Sequence, residues 1–415
     1  MDKKSVLRTG LVGQLIWSTA ATLVYALAQW LLLRIIINIG GLNEAGRYAY
    51  FMAILTPLLA ATSFNLRAVS ASGTYPDENN VHLFSLRLIS SICGFLISTI
   101  IAVLVMSWEL AVISAFLAQS AYRFFDVIGD FLQSKYQRAA EMHFAFMSSV
   151  YRCGLGIGAF YLLYANSHSL TLAFAGLLIC SAVVTLMFDI PKTRNVFRFS
   201  PHLSKKLFEV AKELAPASIG VVLAAIAASV PRIILEMSAG QHELGAFAAL
   251  SYIAVVAGVV ATALGYVTIP ILGRAWMQNE FAKLWQCLAI IVITDACLVL
   301  LLGAALIAGG EQILVFLFGT DMVLYADKLP IVVIAVFFQF LEIHFGNALT
   351  AIGGYKQVAA AQALRLIFTL SVACLLLGSL VIRSALILVT ASAAFASLGS
   401  LALIYMKVRA ATKVD

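Results

Sequence analysis

Gln119, Arg123, Asp126, Asp130, Gln133 and Gln137 recur at spacings of four, three, four, three and four residues within QSAYRFFDVIGDFLQSKYQR. On a helix that rhythm gathers them into one narrow polar stripe on an otherwise apolar surface. A guanidinium and two carboxylates so arranged can grip a charged ligand, exchange a proton or metal cation, or neutralise one another. The segment from about Leu110 onward is long enough to cross a bilayer, where an ionised side chain at mid-depth costs about 2.5–3.5 kcal/mol on insertion scales. The stripe must therefore face protein or water, and it reads as the lining of a path through the membrane.

The elements that would position such a stripe follow from composition. Of 415 residues, 62% are hydrophobic and 11% charged, with a mean hydropathy of +0.98, whereas about a quarter of the residues of a soluble domain carry charge. The chain is an all-α polytopic membrane protein. Hydropathy places about twelve spans, near residues 11–38, 46–64, 83–106, 110–132, 142–164, 169–188, 213–237, 244–268, 284–307, 328–350, 359–378 and 384–406. Both termini then share a side. Of the 27 Lys and Arg, eighteen fall on that side and three on the other, namely Arg47, Lys328 and Arg383, which makes the side of the termini cytoplasmic. The same distribution accounts for the net charge of +7 without a nucleic-acid partner. The apolar run of the first span is too long for a cleaved signal peptide. Cys93, Cys153, Cys180, Cys287, Cys297 and Cys374 sit in apolar runs with no CxxC pairing and read as small core residues.

The longest and most basic connection, from about Asp189 to Lys212, divides the spans into six and six, giving lobes at 1–200 and 201–415. A repeat links the halves. RIIINIGGLNEAGRYA from Arg34 to Ala49 and RIILEMSAGQHELGAFA from Arg232 to Ala248 align with one inserted residue, matching Arg34 to Arg232, Glu44 to Glu243, Gly46 to Gly245 and Tyr48 to Phe247. Both copies fall on the outer side, as a parallel repeat of six helices requires.

No segment between spans exceeds roughly two dozen residues, too few to bury a separate core. That weighs against a membrane glycosyltransferase, polymerase or ligase and for a transporter. No Walker motif is present, so the chain is not read as an ATPase or any other enzyme, and no cofactor motif is found. Gly154, Gly156 and Gly158 form GxGxG without a preceding strand and read as close helix packing. His344 lies two residues from Glu342 and so on another helix face, which argues against a metal site.

In the first span Gln14, Ser18, Thr22, Tyr25 and Gln29 share an arc of about 80° at roughly 100° per residue, a second polar wall or a set of helix-to-helix hydrogen bonds. Arg34, Arg87, Arg232 and Arg365 lie a turn or two from a helix end and are within snorkelling reach of the headgroups. Arg232 has two open roles, a local bridge to Glu236 or a substrate contact. Arg123, Asp126, Arg152, Asp295 and Glu342 lie deeper, where a functional or paired role is the default. Asp130 lacks a partner on its own helix and is open to three readings: facing the cytoplasm, pairing with Arg152, or protonated.

The basic start, Gly46-x-Tyr48, Pro57, the Phe64-Asn65-Leu66-Arg67 exit and the Asp126–Gln133–Arg138 run resemble the polysaccharide repeat-unit flippases, the Wzx-like members of the MOP exporter superfamily, which also holds the MATE drug exporters. The resemblance implies two six-helix bundles in a MATE-like fold around a cationic cavity. It also implies transport of an undecaprenyl-diphosphate-linked oligosaccharide across the bacterial inner membrane for O-antigen, capsule or exopolysaccharide assembly. The partners it implies are the lipid-linked oligosaccharide, membrane lipids and the polysaccharide polymerase and chain-length machinery. Guanidinium suits a diphosphate because its fork bonds two oxygens. Arg123 and Arg152 lead as substrate ligands, followed by Arg34 and Arg232, with Gln29 and Tyr25 on the first-span wall. Asp126, Asp295, Glu342 and Asp130 are candidates for coupling to a proton or sodium gradient. The alternatives are an ion-coupled MATE-like exporter of small cations, which needs an acid-dominated cavity, and a scaffold or channel without alternating access.

Overall fold

The computed structural model describes residues 3–64, 66–72, 77–105, 109–193 and 205–412. Asn65, Arg194, Arg198 and Lys413, used above for the motif and the charge count, lie outside them. Every regular element among the described residues is helical: α1 (Lys3–Ser63), α2 (Leu66–Ser72), α3 (Asp77–Val105), α4 (Leu110–Arg138), α5 (Met142–Ser167), α6 (Leu170–Val184), a π segment (Thr185–Asp189), α7 (Ile190–Thr193), α8 (Lys205–Met277), α9 (Phe281–Phe318), a 3-10 segment (Thr320–Lys328), α10 (Leu329–Ala351), α11 (Tyr355–Leu375) and α12 (Ile382–Ala411).

Ten of the described helical stretches are long and apolar enough to cross a membrane. Two of them, Ile16–Ser63 with 48 residues and Ser218–Thr262 with 45, run at about 1.5 Å per residue to roughly twice the ~30 Å hydrocarbon thickness. Each breaks at one glycine, Gly41 (φ 75°, ψ −175°) in α1 and Gly240 (φ 83°, ψ −178°) in α8, a backbone region essentially closed to residues with a Cβ. Each therefore makes two crossings, and the total of twelve agrees with hydropathy. Leu104, Leu110, Ile307 and Leu375 stand exposed on helix surfaces, where acyl chains rather than water must cover them. The chain is a multi-pass integral membrane protein.

Two compact units emerge, residues 1–35 with 55–219 and residues 36–54 with 220–415. The chain passes from the first unit to the second at Ile219–Gly220, and the second also takes in the early segment 36–54. Within the second unit the early segment meets the later one through a pair of close backbone contacts. A Cβ on Gly46 would collide with the carbonyl oxygen of Gln241, and a Cβ on Gly245 with that of Leu42. In the register that pairs Glu44 with Glu243, Leu42 is the equivalent of Gln241 and Gly41 of Gly240. The repeat thus meets itself through two reciprocal glycine-to-carbonyl contacts, and any side chain there would hold the two corners apart.

In the first unit α4 packs against α2, α3, α5 and α6. Between α5 and α6, Phe160 meets Phe174 edge-on with centroids 5.4 Å apart, and a Cβ on Gly156 would lie 2.9 Å from Leu177 Cδ2. Gly154 and Gly158 face open space. Close packing therefore explains one glycine of the GxGxG run and not the other two. The cysteine expectation is also corrected: Cys93, Cys297 and Cys374 are exposed and the other three half-buried. A thiol is small and apolar enough to stand on a lipid-facing helix surface. In the second unit α10 packs on α9, α11 and α12, around Leu284, Leu288, Ile291, Leu341, Phe345 and Ile404.

Candidate functional site

The α4 stripe forms as its spacing requires, but its partners come from other helices. Arg123 Nη1 donates to Tyr25 Oη at 2.8 Å, and Tyr25 Oη donates to Asp126 Oδ2 at 3.2 Å. Arg123 and Asp126, one turn apart, are thus linked through a tyrosine of α1. The second oxygen of Asp126 lies 3.0 Å from Arg152 Nη1 on α5, and Arg152 Nη2 lies 2.7 Å from Asp189 Oδ2. Arg152 also donates to Ser181 Oγ at 3.3 Å and Thr185 Oγ1 at 3.1 Å, while Tyr136 Oη donates to Asp189 Oδ1 at 3.2 Å.

Two local features make this cage possible. Ser181, Thr185 and Asp189 follow at intervals of four along α6 and the π segment. A π turn carries more residues per turn than an α turn, so it swings the third of them back over the first. On the other side, a Cβ at Gly129 would strike the Arg152 guanidinium, so α4 can close on the arginine only where it carries no side chain.

The remaining stripe residues diverge. Asp130 pairs with Arg67 of α2, not with Arg152, at a position where the two side chains are 45% and 40% exposed in the order Arg67, Asp130. Gln133 points to Ser148 and Ser149 at 3.5 and 3.4 Å. Gln119 is fully buried, with neither amide atom bonded among the described residues. A cavity of about 240 Å³ lies against Ser18, Thr22, Tyr25, Arg67, Asp126, Asp130 and Arg152. The stripe and its partners bring together three arginines, Arg67, Arg123 and Arg152, with three carboxylates, Asp126, Asp130 and Asp189. Arg123, Gln29 and Arg34 do not line the cavity. Arg34 stacks over Trp30 at 5.4 Å.

In the second unit a cavity of about 350 Å³ is lined by Arg232, Ser251, Gln339, Glu342, Arg365 and Ser392 among apolar side chains. Arg365 pairs with Glu342 and donates to Ser392 Oγ at 3.0 Å, and Glu342 also accepts from Gln362 at 3.2 Å. Arg365 therefore turns into the protein and does not snorkel. Arg87 behaves likewise, donating to the carbonyls of Val127 at 3.1 Å and Thr62 at 3.3 Å. Arg232 makes no hydrogen bond or ion pair among the described residues, so the local bridge to Glu236 does not form. Asp295 lies outside this cavity, sealed against His344.

Sequence reasoning missed Arg67, Asp189 and His344 as ionic partners. The four-residue spacing of Ser181, Thr185 and Asp189 was the one legible sign, hidden because Asp189 stood at the assumed end of a span. Among the described residues no group of three or more His, Cys, Asp or Glu is placed to hold a metal.

No family model matches the chain. In sequence it is similar to the capsular polysaccharide biosynthesis protein CapF of Staphylococcus aureus, with 25% identity over 347 residues covering 81% of this chain and 84% of that protein. Among solved structures it is similar to the inward-facing form of a multidrug resistance MATE family transporter of the MOP superfamily (TM-score 0.72, 14% identity, 94% of this chain and 95% of that one). It also matches a Pyrococcus furiosus MOP superfamily transporter described by a binding pocket of reverse polarity (TM-score 0.68, 14% identity, 97% and 96%). A third match is the Vibrio cholerae MATE transporter VcmN (TM-score 0.67, 15% identity, 99% and 98%). The fold is MATE-like.

Proposed function

We propose that this protein is a transporter that flips an undecaprenyl-diphosphate-linked oligosaccharide across the bacterial cytoplasmic membrane for surface polysaccharide assembly, driven by an ion gradient, with both termini cytoplasmic. The observation that carries the reading is the charge left over at Arg232. An exporter of cationic drugs needs an uncompensated acid facing its cavity. Here Asp126 and Asp130 are bonded to arginines, Glu342 is bonded to Arg365, and in the second-unit cavity the charge without an ionic partner among the described residues is the Arg232 guanidinium. A diphosphate is the ligand that such a fork fits, because two N–H groups can meet two phosphate oxygens. The similarity to a capsular polysaccharide biosynthesis protein supports a glycan cargo. A polymerase and chain-length machinery acting on the flipped unit would then be its neighbours in the membrane.

Arg123 and Arg152 recede as phosphate ligands in this reading. Arg152 is held by two carboxylates and two hydroxyls, and Arg123 by Tyr25. The test is a strain lacking the gene, complemented with each variant at equal protein level. With Arg232→Ala, lipid-linked oligosaccharide is expected to accumulate on the inner leaflet. Arg232→Lys should restore transport only in part, since it keeps the charge and loses the fork. Unchanged lipid intermediates with raised dye sensitivity would replace the flippase reading with that of a drug exporter.

A further inference from the structure

Asp295 of α9 and His344 of α10 are both fully sealed, with side-chain exposures of 0% each, and Asp295 Oδ1 lies 3.2 Å from His344 Nε2. The contact is not aligned as a hydrogen bond, and neither carboxyl oxygen nor either ring nitrogen has another partner among the described residues. Leu288, Ile291, Leu341, Phe345 and Ile404 make up the core around this stretch. Arg152 shows what a structural polar cluster looks like in this protein, with four side chains bonded to one guanidinium. The Asp295–His344 pair has no such support, and an apolar pair of similar volume would hold two helices together at least as well.

The charges on the packed helices are directed elsewhere. On α10, Glu342 turns to Arg365 and Gln362. From α12, Ile404 and Val408 enter the core, while Lys407 lies over the Trp276 ring at 5.6 Å. Cys287, two turns before Asp295 on α9, is a half-buried thiol. No further charge among these compensates the pair.

We propose that Asp295 and His344 together form a proton-binding site whose occupancy governs how tightly α9 packs on α10. The pair is neutral when it holds one proton, whether that proton sits on the carboxyl or on the ring as an imidazolium beside a carboxylate. Releasing the proton to water takes the pair from zero to one negative charge and leaves a carboxylate beside a neutral ring in an apolar core. Burial penalises that state heavily, so it is relieved by water entering between the helices. The ligand is a proton and not sodium, because an alkali cation seeks several oxygen ligands and this site offers one carboxyl and an imidazole. The inference rests on the ion-coupled transport reading and names its ion.

The test follows backbone hydrogen exchange of peptides from α9 and α10 in the full-length protein in lipid nanodiscs, corrected for intrinsic exchange. Measurements run from about pH 5.5 to about pH 8.5, either side of the ordinary histidine range. A one-proton linkage raises the opening constant by up to about tenfold per pH unit above the transition, so protection in wild type is expected to fall as pH rises. In the Asp295→Leu/His344→Leu double variant it is expected to stay flat and high, with transport no longer answering to a pH gradient. Exchange in wild type that ignores pH, which needs no variant to observe, overturns the proposal. So does a double variant that keeps the wild-type pH dependence. Because exchange is read without any transported substrate, a failure here leaves the flippase assay standing, and a failure there leaves this site standing.

Discussion

Replacing Arg152 with methionine should damage the protein by unfolding it before it damages substrate binding. The guanidinium is 6% exposed and is shared by Asp126 and Asp189, whose side chains are 10% and 0% exposed. Methionine fills the space but leaves two carboxylates without their cation. Breaking one buried pair costs about 3–5 kcal/mol, and with two acids orphaned the loss belongs at the upper end of that range. Arg152→Lys should lie between, because one ammonium cannot span Asp126 and Asp189 as Nη1 and Nη2 do; losing a hydrogen bond to a charged group costs about 1.5–3 kcal/mol. Adding Asp126→Asn and Asp189→Asn to Arg152→Met should recover roughly half of the loss or more, since the costly species is the lone buried charge. The assay is denaturant unfolding in mixed micelles, with the fraction inserted in membranes as a second readout. An Arg152→Met protein that unfolds within about 1 kcal/mol of wild type yet transports nothing would refute the reasoning and return Arg152 to the substrate site.

Arg67→Ala should cost no more than about 1 kcal/mol, because its pair with Asp130 is close to half exposed and solvent-screened; thermal unfolding of the purified protein checks this. Gly46→Val or Gly245→Val should be far worse, about 3 kcal/mol or more, since each forces a side chain against a main-chain carbonyl. Loss of membrane-inserted protein, with Gly154→Val as a tolerated control, is the expected readout. In a cysteine-free background, single cysteines at Asn43 and His242 should label only from outside the cell and one at Ser200 only from the cytoplasm, and an externally labelled Ser200 would overturn the charge-based orientation.

The crossings were legible in the sequence because each needs about twenty apolar residues, a signal carried by one stretch of chain. The division into units was less so. The second unit joins 36–54 to 220–415, and there Gly46 and Gly245 meet the carbonyls of Gln241 and Leu42; a residue without a side chain leaves no trace of what it touches. The repeat pointed to these glycines without saying that they meet. On α4 the periodicity correctly put Arg123, Asp126 and Asp130 on one face, since spacing within a helix fixes direction. It could not choose partners across helices. Asp130 therefore found Arg67, and Arg152 found Asp189, a residue at which hydropathy ends the sixth span and which the structure keeps helical, in a π turn. His344 was judged against Glu342, its neighbour in sequence, while its neighbour in space is Asp295.

On the polar face of α1, Gln14 and Tyr25 are both fastened to the helices around them. At one end the Gln14 amide donates to the carbonyl of Ala140 and accepts from Met142 N at 2.8 Å, capping the turn between α4 and α5. At the other, Tyr25 uses both capacities of its hydroxyl, accepting from Arg123 and donating to Asp126. Ser18 and Thr22, between Gln14 and Tyr25, make no side-chain bond across to α4 among the described residues. They line the cavity of about 240 Å³ instead, and Thr22 turns its hydroxyl back to the Ser18 carbonyl at 3.0 Å. Were the face only helix-to-helix glue, its middle hydroxyls would bond across as its ends do. The middle is held open by ends that are tied, which is how two polar stripes can face each other inside a membrane without closing the water-sized space between them.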